Sequence, residues 1–199
     1  MKKGISASEM LILGVGDSFH GLTSGVWNLQ DSSKKRAAYG LDSSLQTNVN
    51  RGTGKVMRYC QIQDMEECLA EHHEKVSAVI MECLHGASKT SREIAYSRAV
   101  YDLCKKYNVL SLQTKFDKEQ AKRASFAVTK ILGGFYLCSY IVGTDECMSL
   151  VGTGEIASTF GHTPLGCAAT SATLDLIDEP GYMERGPILG KKFQDRANK

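Results

Sequence analysis

Short apolar runs alternate with amphipathic stretches along the first half of the chain, and this alternation predicts strands and helices in turn. Residues 10–13 (MLIL) form an apolar run that stops at residues 14–17 (GVGD), a pattern typical of a strand followed by a turn. Residues 76–81 (VSAVIM) are continuously apolar in character, which predicts a buried strand. Between these strands, residues 31–54 are polar and have little periodicity, which predicts a long surface loop.

Two helices are predicted from apolar positions that recur at helical spacing. Asp64 is placed to cap a helix over residues 65–73, in which Met65, Leu69 and His72 share one face. A longer helix is predicted over residues 91–107, where the apolar positions form one core-facing stripe. The members of that stripe are Tyr96, Val100, Leu103, Cys104 and Tyr107.

The end of the longer helix completes a strand–helix–strand unit. Asn108 suits the left-handed conformation that ends helices, and residues 109–112 (VLSL) predict the next strand. Such a unit favours a parallel sheet, so the predicted fold is α/β, with helices packed on a mostly parallel sheet. Residues 131–142 predict one or two more strands. Thr163 precedes a predicted helix over residues 164–175 that begins with proline.

The composition is that of an ordinary soluble globular protein. The 199 residues are 42% hydrophobic and 23% charged, and a net charge of +2 gives no electrostatic case for binding nucleic acid or an anionic membrane. No apolar run approaches the roughly 20 residues that span a bilayer. Because the N-terminus lacks both an apolar core and the Arg-rich amphipathic pattern of a transit peptide, we expect a cytoplasmic location.

Cysteine spacing and glycine-rich segments give no candidate chemistry. The seven cysteines are odd in number and form no C-x-x-C pair, which argues against a disulfide framework or a zinc site. Cys68 and His72 have usable metal spacing but no obvious further ligands, so no metal is predicted. Phe19 breaks the dinucleotide-binding pattern that residues 14–16 begin. Residues 52–55 (GTGK) lack the first glycine and the final Ser/Thr of a phosphate-binding loop.

Several segments follow one another in an order that is typical of one enzyme family. They are residues 18–23 (SFHGLT), 76–86 (VSAVIMECLHG), 103–110 (LCKKYNVL), 127–134 (AVTKILGG) and 157–167 (ASTFGHTPLGC). Together they resemble the class III aminotransferases, which use pyridoxal 5'-phosphate (PLP), and ornithine aminotransferases in particular. The resemblance implies a remnant of the fold-type I PLP-binding large domain over residues 1–178. Residues 179–199 would form a tail leading toward a small domain that the sequence lacks.

The resemblance assigns the cofactor linkage and the phosphate contacts. Lys130 would hold PLP as a Schiff base and would then act as the base that moves the Cα proton of the substrate. Ser158 and Thr159 would bind the PLP phosphate, and in the family this threonine reaches across to the cofactor of the other subunit. Without the resemblance, Lys130 is a surface lysine after a strand, and the Ser-Thr pair is a polar turn ahead of a helix.

The ring contacts and a substrate contact are assigned in the same way. Phe19 matches the aromatic residue that stacks on the pyridine ring, and His20 stands where the family carries His or Trp. Gln113 matches a residue that approaches the PLP ring oxygen. Glu82 matches the first glutamate of the Glu-Pro pattern, for which we expect a substrate-binding role. Without the resemblance, Phe19 is a core residue at a strand end, and a buried Glu82 needs a partner in any case.

Several positions depart from the family pattern. Leu22 stands where an arginine binds a substrate carboxylate, Ala87 replaces a second glutamate, and residues 109–114 lack the aspartate that pairs with the pyridinium nitrogen. The Gly-rich phosphate cradle that the family carries ahead of these segments has no counterpart in the sequence. These departures leave two functions open.

The first function is transfer of an amino group from ornithine, or a similar ω-amino acid, to 2-oxoglutarate, with PLP as the carrier. Its partners would be amino acid and 2-oxo acid substrates. The alternative is a catalytically inactive, truncated homologue that acts as an interaction partner. In either case the resemblance implies a homodimer or an association with a full-length relative, and no partnership with nucleic acid or membrane is expected.

Overall fold

The computed structural model describes the chain in several stretches and divides it into two compact units. The described residues are 4–6, 9–16, 18–21, 23–29, 40, 48–50, 52–83, 91–114, 125–129, 139–156, 158, 159, 161 and 163–198. The first unit comprises Met1–Ala127 and Ile141–Leu150, and the second comprises Val128–Tyr140 and Val151–Lys199. Within the described stretches, no helix is long and apolar enough to cross a membrane.

Strands and helices alternate from the first strand to the third, as the hydrophobic pattern predicts. The strands are β1 (Leu11–Leu13), β2 (Val76–Glu82), β3 (Leu110–Thr114), β4 (Ser125–Thr129) and β5 (Ser139–Val142). The helices are α1 (Ile62–His72), α2 (Ser91–Lys106), α3 (Asp145–Met148), α4 (Pro164–Asp178) and α5 (Arg185–Ala197), and a 3-10 helix spans Ser24–Leu29. The long loop predicted over residues 31–54 lies largely outside the described residues.

The strands form one sheet in the order β1-β2-β3-β4-β5. The first four strands pair in parallel, with Val79 opposite Ser111 and Leu112 opposite Ser125. Parallel neighbours need crossover connections, and α2 connects β2 to β3 in this way. The prediction of an α/β fold with a mostly parallel sheet is therefore confirmed.

The core of the first unit is built from β1, β2, α1 and α2. Its buried members include Leu13 on β1, Met65, Cys68 and Leu69 on α1, Val76, Val79 and Met81 on β2, and Tyr96, Val100 and Cys104 on α2. Leu103 and Tyr107 pack against this cluster while partly exposed, so the stripe predicted for α2 does face the core. Asn108 has the predicted left-handed conformation, with φ 53°.

Asp64 does not cap α1 as the sequence suggested. The helix begins earlier, at Ile62, and Gln61 occupies the N-cap position without a side-chain cap hydrogen bond. Asp64 lies in the first turn and accepts hydrogen bonds from Arg58: at 2.9 Å from the backbone N–H, and at 2.9 and 2.8 Å from the guanidinium. The carboxylate therefore ties the preceding loop to the helix and does not satisfy a helical N–H.

The Arg58–Asp64 pair is expected to make folding stability depend on pH in the acid range. The hydrogen bonds from Arg58 hold the pKa of Asp64 below its ordinary value. A carboxyl whose pKa is lowered by folding stabilises the protein fully above its unfolded pKa of about 3.9, and this stabilisation is lost as pH falls below that value. The urea midpoints of wild type and Arg58→Gln should therefore differ above pH ~5 and converge as the pH falls below ~4. A difference that persists unchanged would contradict the assignment.

The second unit contains the predicted proline-initiated helix. Thr163 is its N-cap, and the Thr163 side chain accepts a hydrogen bond from the backbone N–H of Gly166 at 3.2 Å. Pro164 has no backbone N–H, and at the first position of a helix that group would have no partner within the helix. The helix runs three residues beyond the predicted Asp175, to Asp178. The division of the chain at residues 178–179 stays a prediction.

Candidate functional site

The carboxyl ends of β1, β2 and β3 lie at one edge of the parallel sheet. Residues 18–21 follow β1, Glu82 is the last residue of β2, and Gln113 is opposite Met81 near the end of β3. Open α/β sheets bind ligands at this carboxyl edge. Three residues that the sequence analysis selected, Phe19, Glu82 and Gln113, are thus brought to one edge of the first unit.

Glu82 is bonded directly to the segment that carries Phe19. Its side chain is buried, with a relative exposure of 1%, and Oε2 accepts a hydrogen bond from the backbone N–H of Phe19 at 3.0 Å. A hydrogen bond to an ionised acceptor is roughly twice as strong as one between neutral groups. The bond therefore fixes the backbone of Phe19 relative to the end of β2.

Tyr59 holds the same strand end from another direction. Its hydroxyl donates to the carbonyl oxygens of Glu82 and Cys83, at 2.9 and 3.1 Å. The ring packs at 5.2 Å, centroid to centroid, against the ring of Tyr96 in α2. Burial raises the pKa of the Tyr59 phenol far above its ordinary value, so this hydroxyl remains a donor at neutral pH.

Phe19 presents an aromatic ring to solvent beside buried polar groups. Its relative exposure is 43%, which is high for a large apolar side chain whose backbone is anchored. The neighbouring Ser18 is buried, and its hydroxyl oxygen has no hydrogen-bond partner among the residues that the structure describes. His20 is partly buried. A partly exposed aromatic ring beside a buried hydroxyl group suits a planar ligand with polar substituents.

Gln113 is engaged in a buried network within the protein. Its Oε1 accepts from Cys83 Sγ at 2.9 Å and from Ser97 Oγ at 3.0 Å. Its Nε2 donates to Ser111 Oγ at 3.2 Å and to the Ser97 carbonyl at 3.4 Å. A primary amide has two donor sites and about two acceptor sites, so these bonds occupy them all. A contact between Gln113 and a cofactor ring would require one of these bonds to break.

Removal of the Gln113 amide is expected to destabilise the first unit. In Gln113→Leu a side chain of similar size would leave Ser111, Ser97 and Cys83 without this partner in a buried site. Unsatisfied buried polar groups cost about 1–3 kcal/mol, so the free energy of unfolding should fall by about that amount. Urea denaturation measures this loss. An unchanged urea midpoint would show that the network contributes little to stability.

Of the remaining predicted positions, one lies outside the described residues and two belong to the second unit. Lys130 follows the last residue of β4 and lies outside the described residues. Ser158 and Thr159 belong to the second unit and are exposed. The backbone N–H of Gly161 donates to the Ser158 carbonyl at 3.2 Å, and a Cβ added at Gly161 would meet Ser158 Cβ at 3.0 Å. Little room is therefore left for a side chain at position 161, which suits the glycine of the Ser-Thr-Phe-Gly segment.

Metal-binding side chains do not form a cluster among the described residues. Within them, no three His, Cys, Asp or Glu side chains come together in a way that could hold an ion. Cys68 lies in the core, and burial raises the pKa of its thiol to about 11. Burial raises the pKa of the Cys104 thiol to about 12. Both thiols are therefore protonated at neutral pH, which suits them for packing and not for metal binding.

Tyr59 and Ser97 are structural contributors that the sequence analysis missed. Tyr59 lies two residues after the buried Met57 and belongs to no periodic pattern, so nothing in the sequence marks it as a partner of the β2 carbonyls. Ser97 lies on α2 three residues before Val100 and seven before Cys104, so helical spacing places it on the core-facing side, but its polar side chain left it out of the predicted stripe. The packing of α2 brings Ser97 to Gln113, and the position of Tyr59 at the end of β2 likewise depends on the tertiary fold.

Comparisons with known proteins agree with the fold and with the family resemblance of the sequence. No family model matches the chain. An ornithine aminotransferase of Schizosaccharomyces pombe is 30% identical over 210 residues, covering 96% of this chain and 47% of that protein. The chain thus spans about half the length of the curated relatives that it matches.

Solved transaminase structures have the same fold. An ornithine aminotransferase from Plasmodium yoelii matches with a TM-score of 0.54 and 27% identity, over 68% of this chain and 41% of that one. An S-selective transaminase from Arthrobacter matches with a TM-score of 0.69 over 96% of this chain and 49% of that one. At 16% identity, the second match shows the fold alone. The fold is that of the fold-type I transaminases.

Proposed function

We propose that this chain, a relative of the class III PLP-dependent aminotransferases that spans about half their length, binds PLP and takes part in amino-group transfer. The amino donor would be ornithine or a similar ω-amino acid, and the acceptor would be 2-oxoglutarate. Ornithine aminotransferases and class III transaminases are PLP-dependent, and the chain resembles them over nearly its whole length. Because the chain spans about half the length of these relatives, the proposed reaction is that of an aminotransferase of their full length.

The partly exposed ring of Phe19, whose backbone is bonded to Glu82, is the observation that carries this proposal. It lies at the carboxyl edge of a parallel sheet, where α/β enzymes bind ligands, and its backbone is held by a buried carboxylate. A partly exposed aromatic ring on a held backbone suits stacking on a flat heterocycle. PLP is a ligand of that shape, and the relatives use it.

Each proposed residue has a separate task. PLP, when bound, supplies the electron sink that allows an amino group to be transferred. The Lys130 amine would hold the cofactor covalently and would move the proton at the substrate Cα. Ser158 and Thr159 would donate their hydroxyl protons to phosphate oxygens, for which the exposed turn at Gly161 makes them available. Phe19 would cover one face of the cofactor ring and exclude water from it.

Covalent trapping tests the proposal directly. The protein is mixed with PLP and reduced with borohydride, and the modified peptides are mapped by mass spectrometry. We expect one phosphopyridoxyl group, on Lys130, and we expect an excess of pyridoxine 5'-phosphate to compete with its formation. The same protein unfolded in urea serves as a control, because it exposes every lysine equally. Labelling that is scattered in the folded and unfolded protein alike would refute PLP binding.

A second candidate function is that of an inactive homologue that binds another polypeptide. The second unit carries large apolar side chains at the surface of α5, among them Ile188, Leu189 and Phe193, which are 57%, 60% and 74% exposed. Exposed apolar groups of this kind often mark protein interfaces. Leu22, in place of the expected arginine, favours the same alternative. A turnover number with ornithine that is lost in Lys130→Ala would refute it.

We further propose that the protein acts in the cytoplasm, either as a homodimer or with a full-length relative. The exposed apolar side chains of α5 support an oligomer, because the free energy falls when such groups are removed from water. Light scattering during size-exclusion chromatography gives the mass of the particle directly. A monomer at all concentrations up to ~100 μM would argue against the homodimer.

A further inference from the structure

Glu82 has a carboxylate in a buried position, where such a group is energetically unfavourable. Its side chain is 1% exposed, and a buried charge is unfavourable unless it is compensated by hydrogen bonds or by a partner charge. One of its oxygens accepts from the backbone N–H of Phe19, which lies 63 positions away in the sequence. The bond joins the loop after β1 to the last residue of β2, so the cost of burial is offset by a long-range contact at the candidate site.

Tyr59 holds the end of β2 that carries Glu82. Its hydroxyl is shared between the carbonyl oxygens of Glu82 and Cys83. These two carbonyl groups lie at the end of β2, because Glu82 is its last residue and Cys83 follows it. The ring of Tyr59 is itself wedged against Tyr96, which is 5% exposed. Tyr96 lies in the core cluster, so the chain of contacts runs from Phe19 through Glu82 to the core.

We propose that Glu82 and Tyr59 are positioning residues that hold Phe19 as a preformed platform for the planar cofactor ring. This inference rests on the proposed function and names the residues that prepare its binding site. A flexible segment loses conformational entropy when a ligand orders it, and a segment that is already held loses less. The anchored backbone of Phe19 therefore favours binding although Glu82 itself need not touch the ligand.

The test begins with the protein free of cofactor, where positioning can be measured without any activity. Labelling with isotopic phenylalanine gives at most six backbone amide resonances, and Phe19→Leu identifies that of Phe19 by its disappearance. In Glu82→Gln the acceptor becomes a neutral amide, so hydrogen exchange at Phe19 should be faster by about tenfold, because neutral hydrogen bonds are about half as strong. Tyr59→Phe should accelerate the same amide in the same direction.

The affinity for PLP is measured by equilibrium dialysis on the same variants. Glu82→Gln and Tyr59→Phe should each bind PLP about three- to tenfold more weakly, because the platform must be ordered on binding. Ser77→Ala is the matched control. Ser77 lies near the other end of β2, and its hydroxyl donates one hydrogen bond to the Leu11 carbonyl at 3.1 Å. We expect Ser77→Ala to leave both the exchange at Phe19 and the PLP affinity unchanged.

The outcomes separate this inference from the proposed function. Faster exchange together with weaker PLP binding in Glu82→Gln, but not in Ser77→Ala, would support the positioning role. Unchanged exchange at Phe19 would overturn it, whatever the affinity. Wild-type affinity in Glu82→Gln would also overturn it while leaving PLP binding intact. No PLP binding by the wild-type protein would refute the proposed function first and would remove the role of Phe19 as a platform with it.

Discussion

Leu69→Ala is expected to lower the free energy of unfolding of the first unit by about 2–5 kcal/mol. Leu69 lies on α1 with no exposed surface, inside the cluster that joins this helix to the sheet. Truncation to alanine removes the transfer free energy of the buried methyl groups and leaves a cavity that its neighbours fill only in part. In a chain of this size, such a loss corresponds to a fall in Tm of about 4–20 °C.

The single tryptophan, Trp27, makes this loss measurable within one unit. It lies in the 3-10 helix Ser24–Leu29 of the first unit, so its fluorescence during urea titration reports on the unit that contains Leu69. Leu150→Ala is the matched control, because it is the same substitution in the same unit at a side chain that is 78% exposed. We expect the control to change stability by less than about 0.5 kcal/mol. Equal losses in the two variants would contradict the assigned core.

Periodicity in the sequence predicted the elements that bury an apolar face. The helix predicted over residues 91–107 is Ser91–Lys106 in the structure, and the strand predicted over residues 76–81 is Val76–Glu82. The stripe on α2 could be predicted because apolar residues recur at the helical period on whichever face packs against the core. The prediction does not require the identity of the residues on the other side of the contact. The helix start predicted after Thr163 was correct for a similar reason, since the Thr163 hydroxyl and the Gly166 N–H that donates to it are three positions apart.

Long-range polar contacts were not predictable from the sequence. The bond from Phe19 to Glu82 depends on how β1 and β2 align, and alignment is fixed by the whole sheet. Asp64 shows the same limit at short range, because its carboxylate bonds to Arg58 in the preceding loop and not to the helix. Gln113 was selected as a ligand-facing residue by resemblance. That role stays a prediction, whereas its bonds to Ser97 on α2 and to Cys83, the residue after β2, follow from the fold and had no signal in the sequence.

Lys130→Ala is expected to abolish the borohydride-trapped PLP adduct and, with it, any transamination. A covalent link to the aldehyde of PLP requires a nucleophilic primary amine, and alanine has none. Lys130→Arg should fail as well, although it keeps the positive charge, because the guanidinium stays protonated and is not a nucleophile. Together the two variants distinguish nucleophilic from electrostatic roles, since only an electrostatic role would survive in Lys130→Arg.

Lys192→Ala is the control for Lys130→Ala. Lys192 lies on α5 and is exposed, so its loss should leave both the yield and the position of the adduct unchanged. Non-covalent PLP affinity, measured by equilibrium dialysis, should fall in Lys130→Ala but remain detectable, because the proposed non-covalent contacts do not involve the Lys130 amine. An adduct that persists on other lysines of Lys130→Ala at wild-type yield would show that trapping reports surface chemistry. The case for a cofactor site in this chain would then fail, even though its fold is that of the transaminases.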